Sequence, residues 1–196
     1  MGEIKSAAEI AREKLAQIEA ATPEERLQWK YLPEGEKLAA RYLKDDASLS
    51  AELGKYEKEA QRYVARGASD ILVRNIGLPR NEAARRANKK AMDGLKAVKS
   101  DKATVENVFT RMRRVLDHYT QQGEAQKQQA YAQLKMEFES RVQQALKQQM
   151  GVNARMNVDV EKQPQFQQEW LKMQAQLDAQ YLKLLDEYKQ EIAALE

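Results

Sequence analysis

The strongest constraint on the fold is the spacing of large apolar residues at the end of the chain: Phe166, Trp170, Met173, Leu177, Tyr181, Leu184, Tyr188, Ile192 and Leu195. Every step is three or four residues, and Trp170, Tyr181 and Ile192 recur at intervals of eleven. A period of about 3.67 residues keeps such a stripe on one helix face with little supercoiling. Pro164 suits the first turn, where its missing N–H has no helical partner. The helix from Pro164 is roughly 50 Å long at about 1.5 Å per residue. Its other faces are rich in Gln, Lys and Glu, so the stripe needs a neighbouring helix to cover it.

Composition agrees with long amphipathic helices. Charged residues are 32%, mean hydropathy is −0.80, and Gly and Pro number 8 and 4. The apolar residues are patterned rather than depleted, which argues against disorder. With no Cys, disulfides and thiolate metal sites are excluded, and a reducing compartment is permitted. No run approaches the roughly 20 apolar residues of a membrane span, and no basic-plus-apolar leader pattern opens the chain, so the expected localisation is cytoplasmic. Gly2 and Ser6 fit a loose acylation pattern. Ser6 with Glu9 reads more simply as a capping box that opens a first helix reaching about Ala20.

Thr22-Pro23-Glu24-Glu25 restarts the helix, Pro33 is expected to break it, and a further helix carries Leu38, Tyr42 and Leu43 to about Asp45. A longer helix is expected from Ser48 to Ile76, ended by Gly77 and Pro79. The next, from about Arg80 to Val98, shows the small residues Ala84, Ala87, Ala91 and Gly94, which allow close helix approach. Ser100-Asp101 either caps a new helix or lies within one that runs on, and the stripe continues to Tyr119. Between Thr120 and Gln129 only Ala125 is apolar, so this segment reads as solvated on all sides. The stripe resumes at Tyr131, Leu134, Phe138 and Val142. The helix ending at Met150 should fold back on the last helix as an antiparallel pair.

The expected architecture is therefore all-α. A helical body covers 1–119, and a long antiparallel two-helix, coiled-coil-like arm covers 120–196, with an extended tip at 151–163. In the tip, Val152, Ala154, Met156, Val158 and Val160 alternate with Asn153, Arg155, Asn157 and Asp159, the pattern of a half-buried strand. A lone strand has unpaired backbone groups, so the tip is expected to pair with a second copy or a partner's sheet edge. The other reading is an extended loop lying on the body.

Chemistry-bearing motifs are few. The single histidine, His118, has Arg111, Arg114 and Asp117 around it and no positioned acid or nucleophile, so it reads as a helix-surface residue disinclined to charge. A carboxylate metal site needs Glu three residues before each His, and Val115 stands there. No phosphate loop, nucleophile elbow or zinc spacing occurs, so neither catalysis nor a cofactor is expected. Between Arg74 and Arg114 stand twelve basic residues against four acidic ones, in a chain of net charge +3. Arg85, Arg86, Lys89 and Lys90, with Arg113, form a face that attracts phosphate or the acidic remainder of the protein. Phe109 is the one aromatic residue in that run, which argues against single-strand binding.

The opening Met1-Gly2-Glu3-Ile4-Lys5-Ser6-Ala7-Ala8-Glu9-Ile10-Ala11 resembles the start of an uncharacterised family of small helical bacterial proteins with no assigned activity. The resemblance implies a bacterial cytosolic setting. Helical arms joined through β-segments are similar in layout alone to prefoldin-like chaperones. The sequence thus predicts a non-enzymatic interaction or scaffold protein that self-associates through the arm and its tip. An RNA- or ribosome-associated factor and a holdase-type chaperone are the alternatives.

Overall fold

The computed structural model describes residues 6, 9, 21–45, 47–150 and 159–195. Helices run as α1 (Pro23–Asp45), α2 (Leu49–Leu53), α3 (Lys58–Arg74), α4 (Glu82–Val98), α5 (Lys102–His118), α6 (Glu124–Met150) and α7 (Pro164–Ala194). A π turn, Tyr119–Gly123, joins α5 to α6 without a break, and a 3₁₀ turn, Val160–Lys162, precedes α7. The fold is all-α, with no strand among the described residues. The chain divides into two compact units. One comprises Met1–Ile76, Arg86–Glu106 and Ile192–Glu196, the other Gly77–Arg85 and Asn107–Glu191.

Local signals set most helix starts. The Thr22 N–H donates to Glu25 Oε2 at 2.8 Å while the Glu25 N–H donates to Thr22 Oγ1 at 3.2 Å, a reciprocal capping box. Ser6 and Glu9 make the same pair of bonds, at 2.8 and 3.3 Å. Asp101 caps α5 by accepting from the Thr104 N–H at 3.0 Å, so a new helix begins there.

In the first unit, Pro33 lies inside α1 instead of ending it. The reason is the packing beside it. A Cβ on Gly35 would fall 2.0 Å from the Val64 carbonyl oxygen, and one on Gly67 would fall 2.2 Å from that of Leu32. Backbones of α1 and α3 thus meet at Leu32 and Gly35, within one turn of the proline, and burial of Leu38, Ala39, Val64 and Ala68 offsets the lost helix bond. The helix expected over Ser48–Ile76 is two helices. Ser48 caps α2, Gly54 ends it, and α3 ends at Asn75, whose side-chain amide donates to the Ile71 carbonyl at 2.8 Å. Gly77 and Pro79 lie beyond that end. The small-residue face of α4 buries Ala91 and Gly94, while Ala87 is exposed. A Cβ on Gly94 would meet Tyr42 Cε1 at 2.7 Å, and the Tyr42 hydroxyl donates to the Lys90 carbonyl at 2.9 Å.

In the second unit, Val108, Phe109, Met112, Leu116 and Tyr119 form the inner face of α5 and the π turn. Leu134 and Phe138 of α6 pack with Val160 and Phe166, and Tyr131, Val142, Trp170 and Met173 lean on that cluster. Contacts between α6 and α7 run in opposite chain order: Gly123 with Tyr181, Lys127 with Asp178, Tyr131 with Trp170, Phe138 with Phe166. The two helices are therefore antiparallel over this length. On α7 the eleven-residue spacing selects Leu184, but Leu184 is 41% exposed and Leu185 is 1% exposed. Of the expected strand, Val152, Ala154, Met156 and Val158 lie outside the described residues. Val160 opens the 3₁₀ turn and is buried, held by the apolar cluster rather than by strand pairing.

Candidate functional site

The segment Thr120–Gln129, read from sequence as solvated on all sides, holds a buried ion cluster. In the π turn the Glu124 N–H donates to the Tyr119 carbonyl five residues back. The Thr120 hydroxyl donates to the Leu116 carbonyl at 3.0 Å. One surplus residue in the turn brings Gly123 and Lys127 inward, and both are buried. The Lys127 side chain is 8% exposed and that of Asp178 is 2% exposed, with Lys127 Nζ 2.9 Å from Asp178 Oδ1. That oxygen has no aligned hydrogen bond, whereas Oδ2 accepts from Arg80 Nη2 at 2.7 Å. The Lys127 ammonium also donates to the Tyr119 hydroxyl, lies 4.5 Å from its ring centroid, and approaches Glu124 at 3.4 Å.

Aromatic rings close the cluster. Tyr119 and Tyr181 meet edge to face at 5.0 Å, and His118 Nδ1 lies 3.0 Å from the Tyr181 hydroxyl. Burial works against the charge on Lys127, but bonds to Tyr119 and Asp178 outweigh it and raise its pKa. Burial pushes the Tyr119 phenol up, against the pull of the Lys127 ammonium. The arrangement holds two cations on one desolvated carboxylate. With these charges engaged on one another, the cluster fixes how α6 faces α7.

A second feature lies farther along the same helix pair. Tyr131, Phe166 and Trp170 pack edge to face, at 5.5 Å for Tyr131–Phe166 and 5.0 Å for Tyr131–Trp170. Beside them is an open hollow of about 560 Å³ lined also by Glu161, Lys162 and Leu171. Its carboxylates are compensated, Glu161 by Lys135 at 2.6 Å and Asp159 by Lys162 at 2.9 Å. The Lys135 bond holds the Glu161 carboxyl below its ordinary range. What the hollow offers is an aromatic and aliphatic surface with a neutral rim. Leu171 on that rim is 62% exposed, and Leu182 on the same helix is also exposed.

The residues singled out from sequence distribute as follows. Phe166 and Ile192 of the α7 stripe are buried, and Trp170, Met173, Leu177, Tyr181 and Tyr188 are half-buried. Arg85, Arg86 and Lys89 are exposed on α4, and Lys90 is half-buried with its ammonium over the Tyr42 ring. Arg85 pairs with Glu82 at 3.4 Å, and Arg113 on α5 donates to Thr110. Other members of the basic run are engaged internally: Arg80 with Asp178, Lys96 with Glu106, Arg111 with Glu191, and Lys99 with the Leu195 carbonyl. Burial lowers the pKa of Lys99. Among the described residues no three acidic or imidazole groups are gathered to hold a metal ion, and no helix is long and apolar enough to cross a membrane.

Sequence reasoning missed Lys127 and Asp178. A signal existed for the second. Asp178 stands seven residues before Leu185 and fourteen before Ile192, in register with the two buried residues of α7's second half. Lys127 carries no such mark, because its burial depends on the surplus residue in the turn before it.

A family model described as a family of unknown function (DUF6657) matches residues 50–194. No curated protein and no solved structure matches the chain.

Proposed function

The chain belongs to the family of unknown function DUF6657, and on that footing we propose a non-enzymatic interaction protein that self-associates through the α6–α7 pair, acting as a coiled-coil-like arm. The observation that carries the reading is the aromatic hollow at Tyr131, Phe166 and Trp170 with Leu171 62% exposed beside it. Aromatic anchors in a shallow hollow with a polar rim are the features of a protein contact, where a few such side chains dominate the binding energy. An exposed Leu alone means little; Leu171 and Leu182 project in nearly the same direction, since eleven residues are about three turns.

Light scattering on the full chain tests this. The wild type is expected at a multiple of its 22.5 kDa, and Leu171→Glu, which places a charge at the hollow, is expected to return the monomer mass. Deleting Asn153–Asp159 is expected to lower the mass as well if the alternating segment pairs between copies. A monomeric wild type, or a mass unmoved by L171E, would sink the proposal.

A second reading has its own observation. Arg86 and Lys89 are exposed on adjacent turns of α4, and no ion pair holds either among the described residues. An anionic partner such as RNA would find its first contacts there, with retention falling as salt rises. R86E/K89E released from an RNA column at the same salt as the wild type would remove that reading.

A further inference from the structure

We propose that the π turn is a movable surplus residue, confined to Thr120–Ala130, and that Lys127 on Asp178 is the latch that parks it at Tyr119–Gly123. A π turn is one residue more than the α-helix accommodates at that place. The surplus can travel along a helix if each residue it passes rotates by about 100° and shifts by about 1.5 Å. The cost of travel is the burial exchanged on the way. Towards the N-terminus, Met112, Leu116 and Tyr119 are buried and would be turned outward. Towards the C-terminus, Tyr131, Leu134 and Phe138 are committed to the cluster around Phe166. Between these blocks only Ala125 is apolar up to Gln129, so passage there sacrifices almost no apolar burial.

Two groups hold the turn at one end of that track. With the turn at Tyr119–Gly123, Lys127 lies against Asp178. Moved beyond residue 127, the surplus would bring Gln126 to that place and leave Asp178 with Arg80 alone. It would also bring Gln122 to the place of Gly123, where a Cβ lies 3.1 Å from Tyr119 Cδ2 and 3.4 Å from the Tyr181 hydroxyl. The first is a charge worth keeping on a desolvated carboxylate, the second a tight contact that the tyrosines can relieve by shifting. The latch is therefore chiefly the ion pair. Releasing it re-aims the polar side chains of Thr120–Gln129 and leaves the aromatic hollow beyond Tyr131 as it is.

Hydrogen exchange read by mass spectrometry on the full chain tests this with Lys127→Gln, which supplies in place the side chain that sliding would bring. Amides of 120–130 are expected to exchange about ten to a hundred times faster than in the wild type, with 131–140 accelerated clearly less and far-UV circular dichroism unaltered. Deleting Gln122 removes the surplus residue, so K127Q added to that deletion is expected to speed exchange in 120–130 no more than in 131–140. Unchanged exchange in K127Q, equal acceleration in 131–140, or the same acceleration in the deletion background each overturns the proposal. If K127Q does not fold, Asp178→Asn, which keeps the shape and removes the charge, takes its place. Failure of both to fold also overturns it, because a latch opens without loss of the fold.

Discussion

Asp178 gives the sharpest test of how the second unit is held. Asp178→Leu leaves Lys127 and Arg80 facing each other without a carboxylate. Removing one partner of a buried pair costs about 3–5 kcal/mol. The lower end applies here, because the Arg80 side chain is 58% exposed and can turn to water, and Lys127 keeps the Tyr119 hydroxyl. Lys127→Met is milder, about 1–3 kcal/mol, since Arg80 still donates to Asp178 Oδ2 at 2.7 Å. The double variant K127M/D178L removes both charges and fills the same space with apolar atoms. Such replacements are neutral or stabilising in general, so it should lie within about 1 kcal/mol of the wild type. The coupling between the two positions is then about 3 kcal/mol or more, far above the additivity of independent sites. Urea unfolding followed by circular dichroism reads these values from midpoints at constant slope. The melting temperature of D178L should fall by about 10 °C at roughly 2–4 °C per kcal/mol. A double variant as unstable as the sum of its singles would refute the assignment of a desolvated ion pair.

Three further outcomes follow from the packing and the titrating groups. Gly35→Ala should destabilise by about 3 kcal/mol or more in the same urea assay, because its Cβ would meet the Val64 carbonyl at 2.0 Å and backbone cannot yield. Gly123→Ala should be near neutral, the contact with Tyr119 Cδ2 at 3.1 Å roughly offset by about 1 kcal/mol of helix propensity. Leu185→Ala should cost about 2–4 kcal/mol and Leu184→Ala less than about 0.5; equal costs would restore the eleven-residue stripe. Stability should decline at alkaline pH. The raised pKa of Lys127, against 10.5 in a free side chain, contributes stability fully present below about 10.5 and lost as pH rises through the folded value. The raised pKa of Tyr119 acts in the same direction from 10.0 upward, while the lowered pKa of Lys99 works the other way. K127M should therefore flatten the decline, and an unchanged slope in that variant would exclude Lys127 as its source.

What was legible in the sequence was local. Both capping boxes depend on residues within one turn of each other, and those signals suffice; Ser100-Asp101 left a cap and a continuous helix both open, and the Thr104 bond to Asp101 decides for the cap. Pro33 misled because its tolerance depends on Gly67, thirty-four residues away, letting another backbone come close enough to sustain the helix. The expected single helix from Ser48 to Ile76 failed for a different reason: Leu53, Tyr56 and Ala60 keep helical spacing across the turn at Gly54, so the period is blind to the interruption. The basic run of Arg74–Arg114 read as one surface feature. Four of its cations are engaged by Asp178, Glu106, Glu191 and the Leu195 carbonyl, none predictable from spacing.

The stripe on α7 fails as an eleven-residue repeat for a reason that ties it to the π turn. Phe166, Trp170, Met173 and Leu177 share one direction around the helix. Asp178, Tyr181, Leu185 and Ile192 share another, rotated by about 80° at 100° per residue. The change of phase falls at Leu177–Asp178, across from the turn, where Gly123 meets Tyr181 and Lys127 meets Asp178. A surplus residue in one helix rotates everything after it, so the neighbour must present a different face on either side of that level. Residue for residue, Leu184 and Leu185 are equally plausible stripe members. Only the turn in the other helix decides between them, and the turn is written in polar residues that a hydropathy pattern cannot weigh. The stripe is therefore two shorter stripes joined at a charge, and Asp178 marks the join because it is where neither apolar face continues.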